Sequence, residues 1–169
     1  KYTEATLEFR NAIQIDERSA EAHWGLARAY EQLQRIPEMI TELQKTIEYD
    51  KSHLDARVKL GNWYLAASKG RPQLEQEAER LAKETHEKDA NHIEGHILMG
   101  SVLFQQNQKD KAFEELNHAV QLDPNRVESY LSLAKFYIAN KTPEKAEELY
   151  KKAISINANS SLAYTEYGR

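Results

Sequence analysis

The chain repeats itself at a fixed interval, and this periodicity limits the folds that it can adopt. A bulky residue followed by a small one recurs at Leu26-Ala27, Leu60-Gly61, Met99-Gly100, Leu133-Ala134 and Tyr167-Gly168. The small residues of these pairs lie 34, 39, 34 and 34 positions apart. A period of roughly 20 to 50 residues indicates stacked supersecondary units. The sequence therefore predicts a repeat architecture.

A second column of residues gives the same intervals in the same order. Its members are Ala5, Met39, Ala78, Ala112 and Ala146. Two independent columns thus agree on the period and on the position of five additional residues. These are Ser68, Lys69, Gly70, Arg71 and Pro72. We expect them to lengthen one turn between helices and to form a solvated loop with two basic residues at its tip; a binding edge is the alternative.

The residues between these columns follow a helical period, and the composition is rich in helix-forming residues. Tyr30, Tyr64, Leu103 and Tyr137 lie three residues after the first small residue, and Phe9, Leu43, Leu116 and Tyr150 lie four after the second. The predicted helices span 2–15, 20–33, 38–50, 54–67, 73–88, 93–106, 109–121, 127–139, 143–156 and 161 onward. Asp16, Asp50, Asp89, Asp123 and Asn157 recur at the ends of the second helices. We expect these residues to separate one hairpin from the next.

These columns resemble the tetratricopeptide repeat family, most clearly from Gly100 to Pro124. The resemblance extends over essentially the whole chain and implies an all-α, right-handed superhelical solenoid of antiparallel helix hairpins. Departures are local: Met39 stands where the family has alanine, Thr46 and Thr85 replace another alanine, and the closing proline survives only as Pro124.

The repeat positions divide residues 1–169 into a single array. Residues 1–19 form the second helix of a truncated repeat, 20–53, 54–92, 93–126 and 127–160 form complete repeats, and 161–169 form the first helix of another truncated repeat. The five additional residues lie in the second of the complete repeats. We expect the native chain to continue in the same period on both sides, and exposed array ends would allow self-association.

Charge and composition argue against several classes of function. The net charge of −4 provides no positive field for general nucleic-acid binding. No apolar run is long enough for direct membrane insertion. The absence of cysteine excludes disulfides, cysteine zinc sites and thiol nucleophiles, and it leaves the compartment open between the cytoplasm and a bacterial periplasm or envelope.

In the family that this chain resembles, the first helices of successive hairpins line a concave groove that binds a protein or peptide segment. The corresponding residues are Trp24, Arg28, Glu31, Val58, Asn62, Leu65, Ile97, Ser101, Phe104, Gln105, Leu131, Lys135 and Ile138. Val58 and Leu65, Ile97 and Phe104, and Leu131 and Ile138 are apolar pairs two turns apart. This stripe forms either an exposed groove or the packing against the next repeat. Trp24 is the strongest candidate anchor, with a packing role as the alternative.

Other constellations do not indicate a chemical site. Arg28, Asn62 and Lys135 form only part of the family's clamp for a terminal carboxylate. His92 and His96 have a spacing that can chelate a metal, but no third ligand accompanies them. No nucleophile triad, phosphate loop or HExxH motif is present, so we predict no enzyme, no metal and no cofactor.

The predicted function is a protein-protein interaction scaffold that binds a partner peptide or helix. Alternatives are a structural spacer, a self-assembling module of a larger bacterial envelope or secretion assembly, and a repeat region of a multidomain protein. The segment from Asp110 to Val120 is similar to bacterial tetratricopeptide proteins.

Overall fold

A computed structural model describes residues 1–168, and these residues form helices and short turns without a strand. The helices are α1 (Tyr2–Ile15), α2 (Ala20–Gln32), α3 (Ile36–Tyr49), α4 (Leu54–Ala66), α5 (Pro72–Lys88), α6 (Ile93–Gln105), α7 (Lys109–Leu122), α8 (Val127–Ala139), α9 (Pro143–Ile156) and α10 (Ser161–Tyr167). The predicted helices are confirmed, with no boundary more than two residues from its expected position. None of the described helices is both long and apolar enough to cross a membrane.

The chain divides into two compact units, Lys1–Lys88 and Asp89–Arg169. Unit 1 contains α1, the hairpin of α2 and α3, and the hairpin of α4 and α5. Its core includes Leu26, Tyr30, Met39 and Leu43. Unit 2 contains the hairpins of α6 with α7 and of α8 with α9, followed by α10. Tyr130, Leu131, Ala146 and Tyr150 belong to its core.

Small residues recur because the two helices of a hairpin approach closely at that point. A Cβ placed on Gly100 would lie 2.7 Å from Leu116 Cγ and 3.2 Å from the Ala112 carbonyl oxygen. Ala27 and Ala134, at the equivalent positions, are completely buried. A larger side chain at any of these positions would hold the helices apart.

The recurring acid or amide closes each second helix with the same turn. In each case its side-chain oxygen accepts a hydrogen bond from the backbone N–H two residues later: Asp16 from Arg18, Asp50 from Ser52, Asp89 from Asn91, Asp123 from Asn125 and Asn157 from Asn159. The distances run from 2.8 to 3.0 Å. Asp and Asn favour this turn because their short side chains compete with helical backbone bonding. The residues predicted to separate the hairpins therefore do so by a defined local bond.

The five additional residues do not all enter the turn, and that part of the prediction is wrong. The turn between α4 and α5 comprises residues 67–71, against three residues in the other described hairpins, and Pro72 is already the first residue of α5. The rest of the insertion lengthens α5 to 17 residues, compared with 14 in α3, α7 and α9. Proline is favoured at a first helical position because its missing N–H would be unsatisfied there anyway. Ser68 is buried, whereas Lys69 and Arg71 are exposed as expected.

Candidate partner-binding faces

The predicted binding residues lie on the first helices of the hairpins, α2 and α4 in unit 1 and α6 and α8 in unit 2. Exposed side chains are Arg28, Asn62, Gln105, Lys135 and Ile138. Half-buried side chains are Trp24, Glu31, Leu65, Ile97, Ser101 and Phe104. Val58 and Leu131 are buried. Four of the five exposed candidates are polar, and Ile138 is the exposed apolar one; both fully buried candidates are aliphatic.

Val58 and Leu131 do not present a surface to a partner. They are only 5% and 2% exposed, and Leu131 belongs to the unit 2 core. Of the two alternatives for the apolar stripe, packing holds at these two positions, which were also among the predicted groove residues. The helix that carries Val58 packs against α3 and α5, and the helix that carries Leu131 packs against α7 and α9, so each is covered on more than one side.

The Phe104 side chain packs largely against other residues of unit 2. Its ring lies edge-to-face against Phe136 of α8, with the centroids 5.5 Å apart. Phe136 also contacts Phe113 and Tyr137, at centroid distances of 6.1 and 5.6 Å. This arrangement matches the alternative in which the stripe packs against the next repeat. A charge at residue 104 would disrupt the aromatic cluster as well as any binding surface.

Trp24 combines packing with partial exposure. Its ring lies 4.8 Å from the His53 ring at the start of α4, and it packs against the unit 1 core. The Arg28 guanidinium lies 5.9 Å from the Trp24 ring centroid. The indole is half-buried rather than enclosed. An aromatic group held in one orientation beside an exposed guanidinium can contact a partner with little loss of side-chain entropy.

Two lysines of the first helices are paired with acids on the adjacent first helix. Lys59 Nζ lies 2.8 Å from both carboxylate oxygens of Glu31 in unit 1. In unit 2, Lys135 Nζ lies 3.3 Å from Glu166 of α10. Because Lys135 already has a carboxylate partner, it is poorly placed to complete a clamp for a peptide carboxylate.

Sequence reasoning did not identify Lys59 as a groove residue. Lys59 could have been found from the number of residues that separates contacting side chains on consecutive first helices. Glu31 and Lys59 are 28 residues apart, Lys135 and Glu166 are 31 apart, and Phe104 and Phe136 are 32 apart. Complementary residues slightly less than one period apart thus mark the contacts between neighbouring first helices.

His92 and His96, the pair with metal-chelating spacing, each make hydrogen bonds within unit 2. The Nδ1 atom of His92 accepts the backbone N–H of Gly95 at 3.1 Å and caps α6. His96 Nδ1 lies 2.6 Å from Glu115 Oε2, and its Nε2 donates to the Ala90 carbonyl at 2.8 Å. His92 thus caps its own helix, whereas His96 joins α6 to α7 and to the preceding turn.

A buried polar column ties the first helices α2, α4, α6 and α8 to the turns before them. A side chain in this column donates to the carbonyl six residues earlier: His23 to Glu17, Arg57 to Lys51, His96 to Ala90 and Tyr130 to Pro124. Side chains of three residue types thus satisfy the equivalent backbone carbonyl in four repeats, and that carbonyl would be costly to bury without a partner. In His23 the other ring nitrogen faces Glu42 within a buried pair. This column is therefore part of the packing.

Comparisons with known proteins agree with these observations. The family model described as "Tetratricopeptide repeat" matches residues 103–165. The chain is 35% identical over 66 residues to the uncharacterized protein ycf37 of Pyropia yezoensis. That match covers 39% of this chain and 37% of the relative, so the chain spans well under half of the relative's length.

Several solved structures share the fold. TTC0263, a thermophilic TPR protein of Thermus thermophilus, matches with a TM-score of 0.85 and 20% identity over 99% of this chain and 89% of its own. MamA of Desulfovibrio magneticus matches with a TM-score of 0.70 and 16% identity over 95% and 88%. YrrB, described as a TPR protein with an unusual peptide-binding site, matches with a TM-score of 0.63 and 20% identity over 99% and 84%.

Proposed function

Residues 103–165 belong to the tetratricopeptide repeat family and the described chain has the fold of its solved members; on this premise we propose that the protein is a non-enzymatic scaffold that binds a partner segment. The binding surface is the face of the first helices in each unit. In unit 1 it includes Trp24, Arg28 and Asn62. In unit 2 it includes Gln105 and Ile138.

The observation that carries this proposal is the partial exposure of Trp24 beside Arg28. Aromatic and arginine side chains dominate the energy of many protein interfaces when they occupy the centre of a contact. The peptide-binding site of YrrB supports the proposal by fold alone.

The chemistry of the face favours a segment with apolar and neutral polar side chains. Lys59 and Lys135 are already paired with Glu31 and Glu166, so recognition through carboxylates of the partner would have to break those pairs. Arg28 and Asn62 can donate hydrogen bonds at the edge of an apolar contact. A short extended peptide or one face of an amphipathic helix meets these requirements.

The direct test is selection of a displayed library of random peptides and amphipathic helices on the intact chain. Trp63→Phe leaves Trp24 as the single tryptophan, so its fluorescence reports binding at the unit 1 face. We expect selected peptides to shift this emission in a saturable manner. Asn62→Glu should weaken peptides that bind unit 1, and Ile138→Glu should weaken peptides that bind unit 2, each by about tenfold.

Ile15→Glu is the matched control for Ile138→Glu, because Ile15 is 89% exposed on a second helix. It introduces the same charge away from the proposed face. Peptides that bind equally well to the wild-type chain and to the Asn62→Glu and Ile138→Glu variants would contradict the proposal, provided that circular dichroism shows unchanged folding.

A further inference from the structure

A histidine caps the first helix α4 of unit 1. The Nδ1 atom of His53 accepts a hydrogen bond from the Ala56 backbone N–H at 3.2 Å. Ser19 and Ser160 cap α2 and α10 in the same way, through a hydroxyl oxygen that does not titrate. An imidazole nitrogen accepts this bond only while it carries no proton. The cap of α4 is therefore sensitive to protonation, whereas the serine caps are not.

The same imidazole lies against Trp24, the half-buried indole of α2. The two ring centroids are 4.8 Å apart, and the ring planes are inclined by 56°. His53 is itself only half-buried, so protons from the solvent reach its ring. The guanidinium of the exposed Arg28 lies 5.9 Å from the Trp24 centroid. Trp24 thus contacts one cation and one imidazole that can become a second cation.

Protonation of His53 changes both of these contacts. An imidazolium donates from both ring nitrogens and accepts at neither, so no orientation of the charged ring accepts the Ala56 N–H. Two cations within 6 Å of the same indole centroid also repel each other. The positive end of the α4 dipole lies at the same place and repels the charged ring as well. All three effects move the ring away from the cap and from Trp24.

Charged groups of both signs surround the ring, on the end of α3, on α4 and on α2 one turn before and after Trp24. They are Asp50, Arg57, Glu21 and Arg28. Hydrogen bonds from Ser52 hold the pKa of the Asp50 carboxyl below its usual 3.8, so this carboxyl stays ionised above about pH 5. Histidine is the side chain that ordinarily changes charge between pH 5 and 8. A titration over that range therefore leaves the charge of Asp50 constant.

We propose that His53 is a proton-sensitive switch for the orientation of Trp24. The neutral imidazole caps α4 and fixes the indole. The charged imidazole leaves the first turn of α4 without its cap and the indole without its neighbour. The consequence for binding rests on the proposed function: a segment that binds through Trp24 binds more weakly in acid, because this anchor is no longer held in one orientation.

The test is a titration of the intact 169-residue chain from pH 8 to pH 5, with Trp63→Phe so that Trp24 is the single tryptophan. We expect the Trp24 emission and the NMR signal of the Ala56 amide to change with one common midpoint, because one proton controls both contacts. His53→Asn retains a capping side chain that does not titrate, since asparagine caps helices as well as serine does. Both transitions should disappear in this variant.

His92→Asn is the matched control, because His92 caps α6 of unit 2 through the same bond, at 3.1 Å from the Gly95 nitrogen. It should leave both transitions in unit 1 unchanged. A constant Trp24 emission without the His53 change, or a transition that persists in His53→Asn, would overturn the proposal. A transition of Trp24 without one at Ala56 would show that the cap is not released and would also overturn it. Circular dichroism at both ends of the titration checks that each chain remains folded.

A peptide selected on the unit 1 face provides a second measurement. Its affinity should fall by at least about fivefold between pH 8 and pH 5, and it should stay the same in His53→Asn. Equal affinity at both pH values without the His53 change would contradict the consequence for binding. If no peptide binds the chain, the proposed function fails, and the transitions of Trp24 and Ala56 still decide whether His53 acts as a switch.

Discussion

Gly100 of α6 lies directly against Leu116 of α7, so that a Cβ on residue 100 would stand 2.7 Å from Leu116 Cγ. Alanine normally favours a helix interior over glycine by about 1 kcal/mol. Here the overlap lies at the base of the leucine side chain and next to the Ala112 carbonyl, so relief requires the helices to move. We expect Gly100→Ala to destabilise unit 2 by about 1 kcal/mol net.

Chemical denaturation of Gly100→Ala, Leu116→Ala and the double variant measures this relationship. The double variant should lose less stability than the sum of the single changes, because the smaller residue at 116 makes room for the new methyl group. Ala134→Gly is the control in the opposite direction. Residue 134 is the equivalent of residue 100 in the next repeat, and that position accepts alanine. Additive effects would show that Gly100 and Leu116 are not coupled.

Ser129 is completely buried in α8, and its hydroxyl has no hydrogen-bond partner. The equivalent positions carry alanine or glycine, at Ala22, Ala56, Gly95 and Ala163. Burying a hydroxyl without a partner costs about 1 to 3 kcal/mol. We expect Ser129→Ala to stabilise the protein by about 1 kcal/mol, measured as a higher urea midpoint with an unchanged slope. Ser132→Ala, at a position less buried than Ser129, should change the midpoint little; a stability loss in Ser129→Ala would contradict the interpretation.

Lys141 occupies the left-handed region at φ 61° in the turn between α8 and α9. Gln34 and Asn107 take the same conformation in two other turns, and Gly70 takes it in the lengthened turn. A residue with a Cβ is strained there by about 1 to 2 kcal/mol, and glycine avoids this strain. Part of that gain is lost because glycine gives the unfolded chain more conformational freedom. Lys141→Gly should therefore raise stability by about 0.5 kcal/mol in thermal or urea unfolding. Lys141→Ala keeps the strain and should not reproduce the gain.

Asp50 gives the protein an acid-sensitive turn. Hydrogen bonds from the Ser52 hydroxyl and backbone N–H hold the pKa of the Asp50 carboxyl below its usual 3.8. A lowered pKa in the folded state contributes stability above pH 3.8, and this contribution is lost as the pH falls through the folded pKa. We expect Asp50→Asn to lose less stability than the wild type between about pH 5 and pH 2.

The measurement is the urea midpoint as a function of pH for the two proteins. Asn157 forms the same turn without a charge, at 3.0 Å from the Asn159 N–H, so Asp50→Asn should keep the turn at neutral pH. Ser52→Ala removes the hydroxyl bond that contributes most to the shift and should reduce the acid sensitivity in the same direction. Identical pH profiles for all three proteins would contradict this role of Asp50.

The sequence by itself determined the repeat period, the helices and the hairpin boundaries of this protein. These features depend on neighbours in the chain: the helical spacing of apolar residues, a small residue at each close crossing, and a side chain such as Asp50 that bonds two residues ahead. Local interactions of this kind act in the same way in every repeat. For that reason two columns of residues were sufficient to place the helices to within two residues.

Only the tertiary structure decided which side chains of the first helices remain exposed. Val58 and Asn62 lie on one helix and belong to the same predicted surface, yet the first is buried and the second is exposed. The difference depends on contacts with residues about one period away, as Glu31 and Lys59 show. Packing also decided that the five additional residues were divided between a turn and α5. Burial and pairing across helices depend on many residues that are distant in the sequence, and the pattern along the chain does not specify them.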